Sequence, residues 1–444
     1  MQTRSFKNSS QSGSILFITL ILTVILGTTM ASYLYWVRTQ NVFVAESQAW
    51  NSAIGIAEAG IEEGMAQINV NVGSVGSANL LDYSGSIKSA TNGWSGAGPY
   101  SKTNSLGYSV IVSNDAPPTI YSTATTSVPL LGQTINRTVM VTTTTNSLFG
   151  VAIAAIQNIT MNGINIYVDA FDSGDTFHFP GGLYNTNYAM AKADVATTSG
   201  ILSVGNADIH GRLILAPGAS ATVGPQGLVG DMPAQWPAQS GIESPTNQWV
   251  ITDFNKDFPD VNAPYNSGSV PPTPSGNTTN QYLLTGGNYY VSGDFTVNNN
   301  KTLNVQSGVN KLYVTGTFDA KANSLISIAS GASLIIYAGA ATGSAVAANF
   351  GQVNNAGNAY NFQFYGLPTC TSFNLNGNGA YIGTVYAPEA ALTFNGGGST
   401  TLDFQGACVV KSATLNGHFN IHYDVNLSRI GPPGSYTVAS WREL

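Results

Sequence analysis

The chain of 444 residues carries 15 Lys and Arg against 22 Asp and Glu, a formal charge of −7 with a pI near 5.0. No basic stripe interrupts that balance, so a nucleic-acid partner is not expected. Charged residues make up only 8% of the chain while 43% is hydrophobic, which excludes a disordered polyelectrolyte and leaves Gly, Asn, Thr and Ser to fill the polar positions.

Ser14 to Val37 holds no charged residue and ends in Tyr33, Tyr35 and Trp36. At 1.5 Å per residue it spans about 36 Å as a helix, enough to cross a bilayer, with Ile15, Phe17 and Ile18 in the lipid and Trp36 at an interface. Residues 1–13 form a short leader with Arg4 and Lys7 and no acid, so the positive-inside rule predicts a cytoplasmic amino end and an exported remainder. The helical pattern continues outside the membrane: Phe43, Trp50, Ile54, Ala57, Ile61, Met65 and Ile68 recur mostly at three- and four-residue steps. No proline interrupts Ser14 to Ile68, which predicts one continuous helix of about 80 Å. Three readings compete: a cleaved signal cut near Thr29-Met30-Ala31, a plain anchor, and an assembly helix.

The basic leader ending in Gly13, with Ser14 as the first mature residue, and the run Ile56-Ala57-Glu58-Ala59-Gly60-Ile61-Glu62 resemble a type IV minor pilin of the PilX kind. That resemblance implies cutting by a prepilin peptidase between Gly13 and Ser14 and assembly with other pilin-like subunits through the helix. Major pilins carry Glu at the fifth mature position; here it is Ile18, which points away from a major subunit.

Residues 69–147 are expected to form the head. A Gly/Ser/Asn-rich loop leads to strands at Tyr108 to Val112, Ile120 to Thr125 and Ile135 to Thr144, whose short turns predict an antiparallel meander. From residue 148 short apolar runs closed by Gly, Asn or Asp recur. Val291-Ser292-Gly293 and Val314-Thr315-Gly316 lie 23 residues apart, and Gly339 lies 23 beyond Gly316. A period of this length with several short strands per repeat predicts a β-solenoid over 148–230 and 286–430, with a right-handed parallel β-helix as first choice and a β-sandwich as the alternative. Residues 231–285 hold eight prolines with Trp236 and Trp249 and read as an excursion across one face. Residues 431–444 read as a tail.

Cys370 and Cys408 lie in the exported part, where a disulfide between them is permitted, although Cys408 reads as buried in a strand. Alternation in His418-Phe419-Asn420-Ile421-His422-Tyr423-Asp424-Val425 places His418, Asn420, His422 and Asp424 on one face. His418 and His422 stand about 13 Å apart in a strand, too far to share one ion, so the motif reads as a structural, hydrogen-bonded cap on the solenoid's end. Asp169, Asp172 and Asp175 read as turn residues rather than calcium ligands. No Gly-x-Ser-x-Gly, His-Glu-x-x-His or phosphate-loop motif occurs, and Arg212, Lys301, Lys311, Lys321 and Lys411 are scattered.

The His-Tyr-Asp stretch, with Gly383 to Ala390 and Phe394 to Gly398 before it and Phe171 to Asp175 and Val204 to Ile209 earlier, resembles an uncharacterised family of bacterial envelope proteins with a β-rich carboxyl domain. It implies no activity. The expectation is a non-enzymatic pilin-like or pseudopilin-like component of a pilus or secretion assembly, anchored in the inner membrane. It would need no cofactor, metal or catalytic residue and would display a β domain for adhesion or recognition of glycans or proteins. A membrane-anchored carbohydrate-active enzyme and an anchored protein that never polymerises are the alternatives.

Overall fold

A computed structural model describes residues 12–69, 94, 99–113, 117–129, 131–163, 166–231, 240–276, 279–356, 358–376, 379–396, 402–430 and 433–444. These fall into two compact units, one holding most of the long helix with residues 99–143 and 438–444, the other residues 144–437. Residues 1–11 of the expected 1–13 leader, Trp236 and most of the loop before Tyr100 lie outside the described residues.

In the first unit the helix Ser12–Asn69 is unbroken. Its first half is apolar, and the hydroxyls of Thr19, Thr23, Thr28 and Thr29 bond carbonyls one turn back, which satisfies them without water. Among the described residues nothing covers this half: Leu16 and Tyr35 are each 75% exposed, and Ile15, Phe17, Ile18 and Trp36 are exposed as well. From Ala45 the character changes. Ala45, Ala49, Ala53 and Ala57 recur at four-residue steps, so one face is small and buried.

That face lets a sheet approach. Strands Tyr100–Thr103, Tyr108–Val112, Thr119–Ser127 and Thr134–Ser147 pair antiparallel in sequence order, and Val110, Val112, Ile120, Val139 and Val141 alternate inward. A side chain at Gly60 would meet Ser122 Oγ at 2.2 Å and one at Gly64 would meet Ile120 at 2.8 Å, so the helix presses on the sheet where it has no Cβ. The tail expected at 431–444 is instead the fifth strand of this sheet, Pro433–Glu443, beside Thr134–Ser147. Arg137 fixes it: Nε and Nη2 each donate to Glu443 at 2.5 Å, and Nη1 donates to the Trp50 carbonyl at 2.9 Å.

The second unit is one 26-stranded sheet in which, among the described residues, every strand-to-strand pairing is parallel. Strands mostly pair with the third strand along, so the chain completes a turn every three strands. Val291, Val314 and Ala338 are consecutive rungs, 23 and then 24 residues apart, so the repeat in the sequence is close to the length of one turn. One inward ladder runs Tyr289, Leu312, Ile336, Phe364, Val385, Cys408, Ile153, Val195, Leu213 and Val250. Within the stack Phe295, Phe318, Phe350 and Phe373 follow one another at centroid distances of 5.7, 5.0 and 4.9 Å. Each such ring removed from water contributes roughly 1.5–3 kcal/mol, which offsets the backbone entropy of about one or two residues of its turn, so every apolar rung is needed.

The order of that ladder is the main result of the fold. After Cys408 it passes to Ile153, so the last turn of the unit lies against the first. The chain enters the stack in its middle, winds to one end at Val250–Ile251, crosses to the other end, and winds back until Phe419–Asp424 pairs with Tyr167–Phe171. The crossing is the proline-rich segment. Its first part still supplies rungs, Gly241–Ile242 and Val250–Ile251. The remainder runs along the stack: Phe254 N–H bonds the Leu215 carbonyl, the Pro259 carbonyl accepts from Tyr386, Tyr265 donates to the carbonyls of Tyr289 and Lys311, and the Pro272 carbonyl accepts from Leu283. Prolines suit an extended segment that needs few ladder bonds of its own.

One expectation is corrected here, and one alternative that the sequence left open is settled. The His418 to Val425 motif is no cap, because the strand Phe419–Asp424 is sandwiched between the turns at 402–406 and 167–171. Cys370 and Cys408 are free, buried thiols rather than a disulfide; Cys408 is an interior rung between Val385 and Ile153, and Cys370 is paired with Val346. Burial pushes both thiols up to about 12.

Candidate functional site

Where the last turn meets the first, Phe404, Ile421, Val168 and Ile209 point inward as successive rungs. Alternation then turns their neighbours outward in two rows. Asp403, Asn420, Tyr167 and Asp208 form one; Gln405, His422 and Asp169 form the other. Four distant segments meet on one patch only because the chain enters its stack in the middle.

The connection after Phe171 folds back over this patch. Backbone bonds between Ala170 and Met190 close it, and Phe179 and Tyr184 pack on Phe171 at 5.7 and 5.8 Å. Tyr184 then lies flat on His422, with ring centroids 3.5 Å apart and planes at 17°. Beside the stacked rings opens a cleft of about 470 Å³ lined by Ile166, Tyr167, Tyr184, Thr186, Ala189, Asp208, Asp403, Asn420 and His422.

His422 is the centre of the site. It is 2% exposed, and Nδ1 bonds Asp169 Oδ1 at 2.5 Å; Asp169, fully buried, takes the Tyr184 hydroxyl on Oδ2 at 2.5 Å. Nε2 faces Asp403 Oδ1 at 3.7 Å, too long for a direct hydrogen bond. Asn420 Nδ2 donates to the same Asp403 oxygen at 3.1 Å. Burial opposes the charged imidazole, but the two carboxylates outweigh it and the His422 pKa is raised. His422 in turn lowers that of Asp403, while burial raises that of Asp208 and lifts Tyr167 to about 12. The Tyr184 phenol is raised by burial and by Asp169.

Of the residues singled out in the sequence motif, His422 and Asn420 reach the cleft. His418 precedes the strand, half-buried. Asp424 does not line the cleft: Oδ1 accepts the N–H groups of Ser173 and Asn426, tying down the chain after each strand. Asp172 and Asp175 are turn residues as expected, accepting N–H groups of Gly174 and of Phe177 and His178. Asp169 is not; it belongs to a buried ion pair. Gly13 and Ser14 lie at the start of the long helix. Sequence reasoning missed Asp169, Tyr184, Asp403, Tyr167 and Asp208 as site residues, since the nearest local signal, the alternation around His422, names none of its partners. Among the described residues no group of three or more His, Cys, Asp and Glu side chains is placed to hold a metal ion.

A family model described as a domain of unknown function, DUF7305, matches residues 238–430, less than half of the chain. No curated protein matches. Among solved structures the chain is similar to the competence-associated pilin ComZ from Thermus thermophilus, at 12% identity over 88% of this chain and 97% of that one. The TM-score of 0.23 is too low for that likeness to carry an argument.

Proposed function

We propose that the chain is a minor, pilin-like or pseudopilin-like subunit. It is cut after Gly13, its helix packs among the helices of other pilin-like subunits, and its carboxyl unit, a right-handed parallel β-helix in our reading, is a recognition module outside the inner membrane. One observation carries this. A single helix holds an apolar half that the described residues of its own chain leave bare and, without a break, a small-residue half buried under a short antiparallel sheet. The 15 exposed large apolar side chains from Ile15 to Trp36 need either lipid or other helices around them. A helix that continues straight out of that stretch into its own head is suited to both, first in the membrane and then in a filament. Ile18 favours a minor position.

The parallel ladders support the β-helix reading, as does the turn of 23 to 24 residues. A binding module fits the cleft better than an enzyme: no Arg or Lys lines it to clamp an anionic substrate, and its two carboxylates, Asp208 and Asp403, stand three rungs or about 14 Å apart, beyond the roughly 5–9.5 Å of a glycosidase pair. Shearing cells that make the full chain, and probing the released surface material, tests the assembly. Recovery of the chain in sedimenting filaments is the expected result; confinement to the membrane fraction under conditions where filaments are shed overturns it.

A further inference from the structure

We infer that the cleft beside His422 is a binding site for an uncharged saccharide. This rests on reading the β unit as a binding module and is independent of assembly. The site is built rather than incidental: a nearly fully buried imidazole is fixed on one nitrogen by a buried carboxylate, clamped under a tyrosine ring, and left with the other nitrogen facing the cleft, 3.7 Å from Asp403 and without a closer partner among the described residues.

The chemistry of the gap selects the ligand. With its Nδ1 proton given to Asp169, protonated His422 offers an Nε2–H, and 3.7 Å away Asp403 offers an acceptor that Asn420 holds in place. A group that bridges these two atoms from the cleft side must accept from one and donate to the other, which a hydroxyl does and neither a carboxylate nor an ammonium can. The cleft floor continues over Tyr167 to Asp208, a second acceptor three rungs from Asp403, or about 14 Å at the spacing of parallel strands. Tyr167 and Tyr184 flank the floor with ring surface, which suits the C–H faces of a pyranose between its hydroxyls. Asp169, Asp208 and Asp403 outnumber the single imidazole, so an anionic ligand meets net repulsion. The volume fits a short oligosaccharide.

The test is calorimetric titration of the full chain, in a detergent without a sugar head group, with neutral cello- and chito-oligosaccharides and with an acidic oligogalacturonate. Binding of at least one neutral oligosaccharide, weakened tenfold or more by Asp403→Asn and by Tyr167→Ala but not by Lys321→Ala, is the expected result. Melting curves establish that each variant is folded, and Tyr167→Ala leaves the buried pair intact. Absence of neutral binding, preference for the acidic oligomer, or indifference to both cleft variants overturns the proposal. Appearance of new reducing ends together with cleft-dependent binding would leave the saccharide site standing and sink the binding-module reading.

Discussion

Replacing Asp169 by Asn tests the buried pair that organises the site. Asp169 accepts two hydrogen bonds, from His422 and from the Tyr184 hydroxyl, and is wholly buried. Asn keeps one acceptor oxygen but turns an N–H₂ toward a group that donates, so one partner loses its bond and the imidazolium loses its nearest counter-charge. A hydrogen bond to a charged group contributes about 1.5–3 kcal/mol, and breaking a buried ion pair costs about 3–5 kcal/mol. A loss of about 3 kcal/mol therefore follows, or roughly 5 °C in melting temperature for a unit of this size. The sign of the pH dependence follows from linkage. Folding raises the His422 pKa above its ordinary 6.5, so its contribution is fully present below about pH 6.5 and fades as pH rises through the folded value. The groups facing it are Asp169, Asp403 and Tyr184, with Tyr167 and Asp208 farther along the cleft. The gap between wild type and Asp169→Asn, followed by near-ultraviolet circular dichroism during heating, should be widest near pH 5.5 and narrow toward pH 9. Equal melting at every pH, or a gap that widens with pH, would refute the reasoning.

Other consequences are as direct. Gly406 has φ +146°, and a Cβ there would sit 1.9 Å from the Gly383 carbonyl oxygen, so Gly406→Ala should cost at least about 3 kcal/mol, read as lost protease resistance of the β unit. With both thiols raised to about 12 by burial, Cys370 and Cys408 should ignore a thiol reagent at pH 8 until denaturant is added; rapid labelling of the native chain would contradict their placement. Cys408 and Ile153 are neighbouring rungs across the join of the last and first turns. In a Cys370→Ser background, Ile153→Cys should form an oxidised cross-link to Cys408 that alters mobility on a non-reducing gel, whereas a stack with residues 153 and 408 at opposite ends would give none.

What the sequence revealed divides along the range of the interactions. The membrane-length helix is written in contiguous residues, and the turn length in the spacing of Val291 and Val314, because each turn repeats the same local problem of burying Val, Leu and Phe between tight corners. The join was illegible for the opposite reason. The contact of Cys408 with Ile153 and of Ile421 with Val168 spans about 250 residues, and a turn that ends a solenoid looks like one that stacks in its middle. That is why His418 to Val425 read as a cap. The cleft inherits the same blindness, since Asp169 and Tyr184 gain their meaning only from His422 beside them. The strand at Pro433–Glu443 was missed because its partner lies some 300 residues earlier; its side-chain pattern alone gave no strand signal.

The assembly reading stands most directly on the amino terminus of the mature chain. Intact-mass and terminal-peptide mass spectrometry of protein recovered from its native membrane should find a chain beginning at Ser14, with residues 1–13 removed and the apolar helix retained. A terminus at Met1, or one beyond Ala31 with the apolar stretch gone, would contradict it.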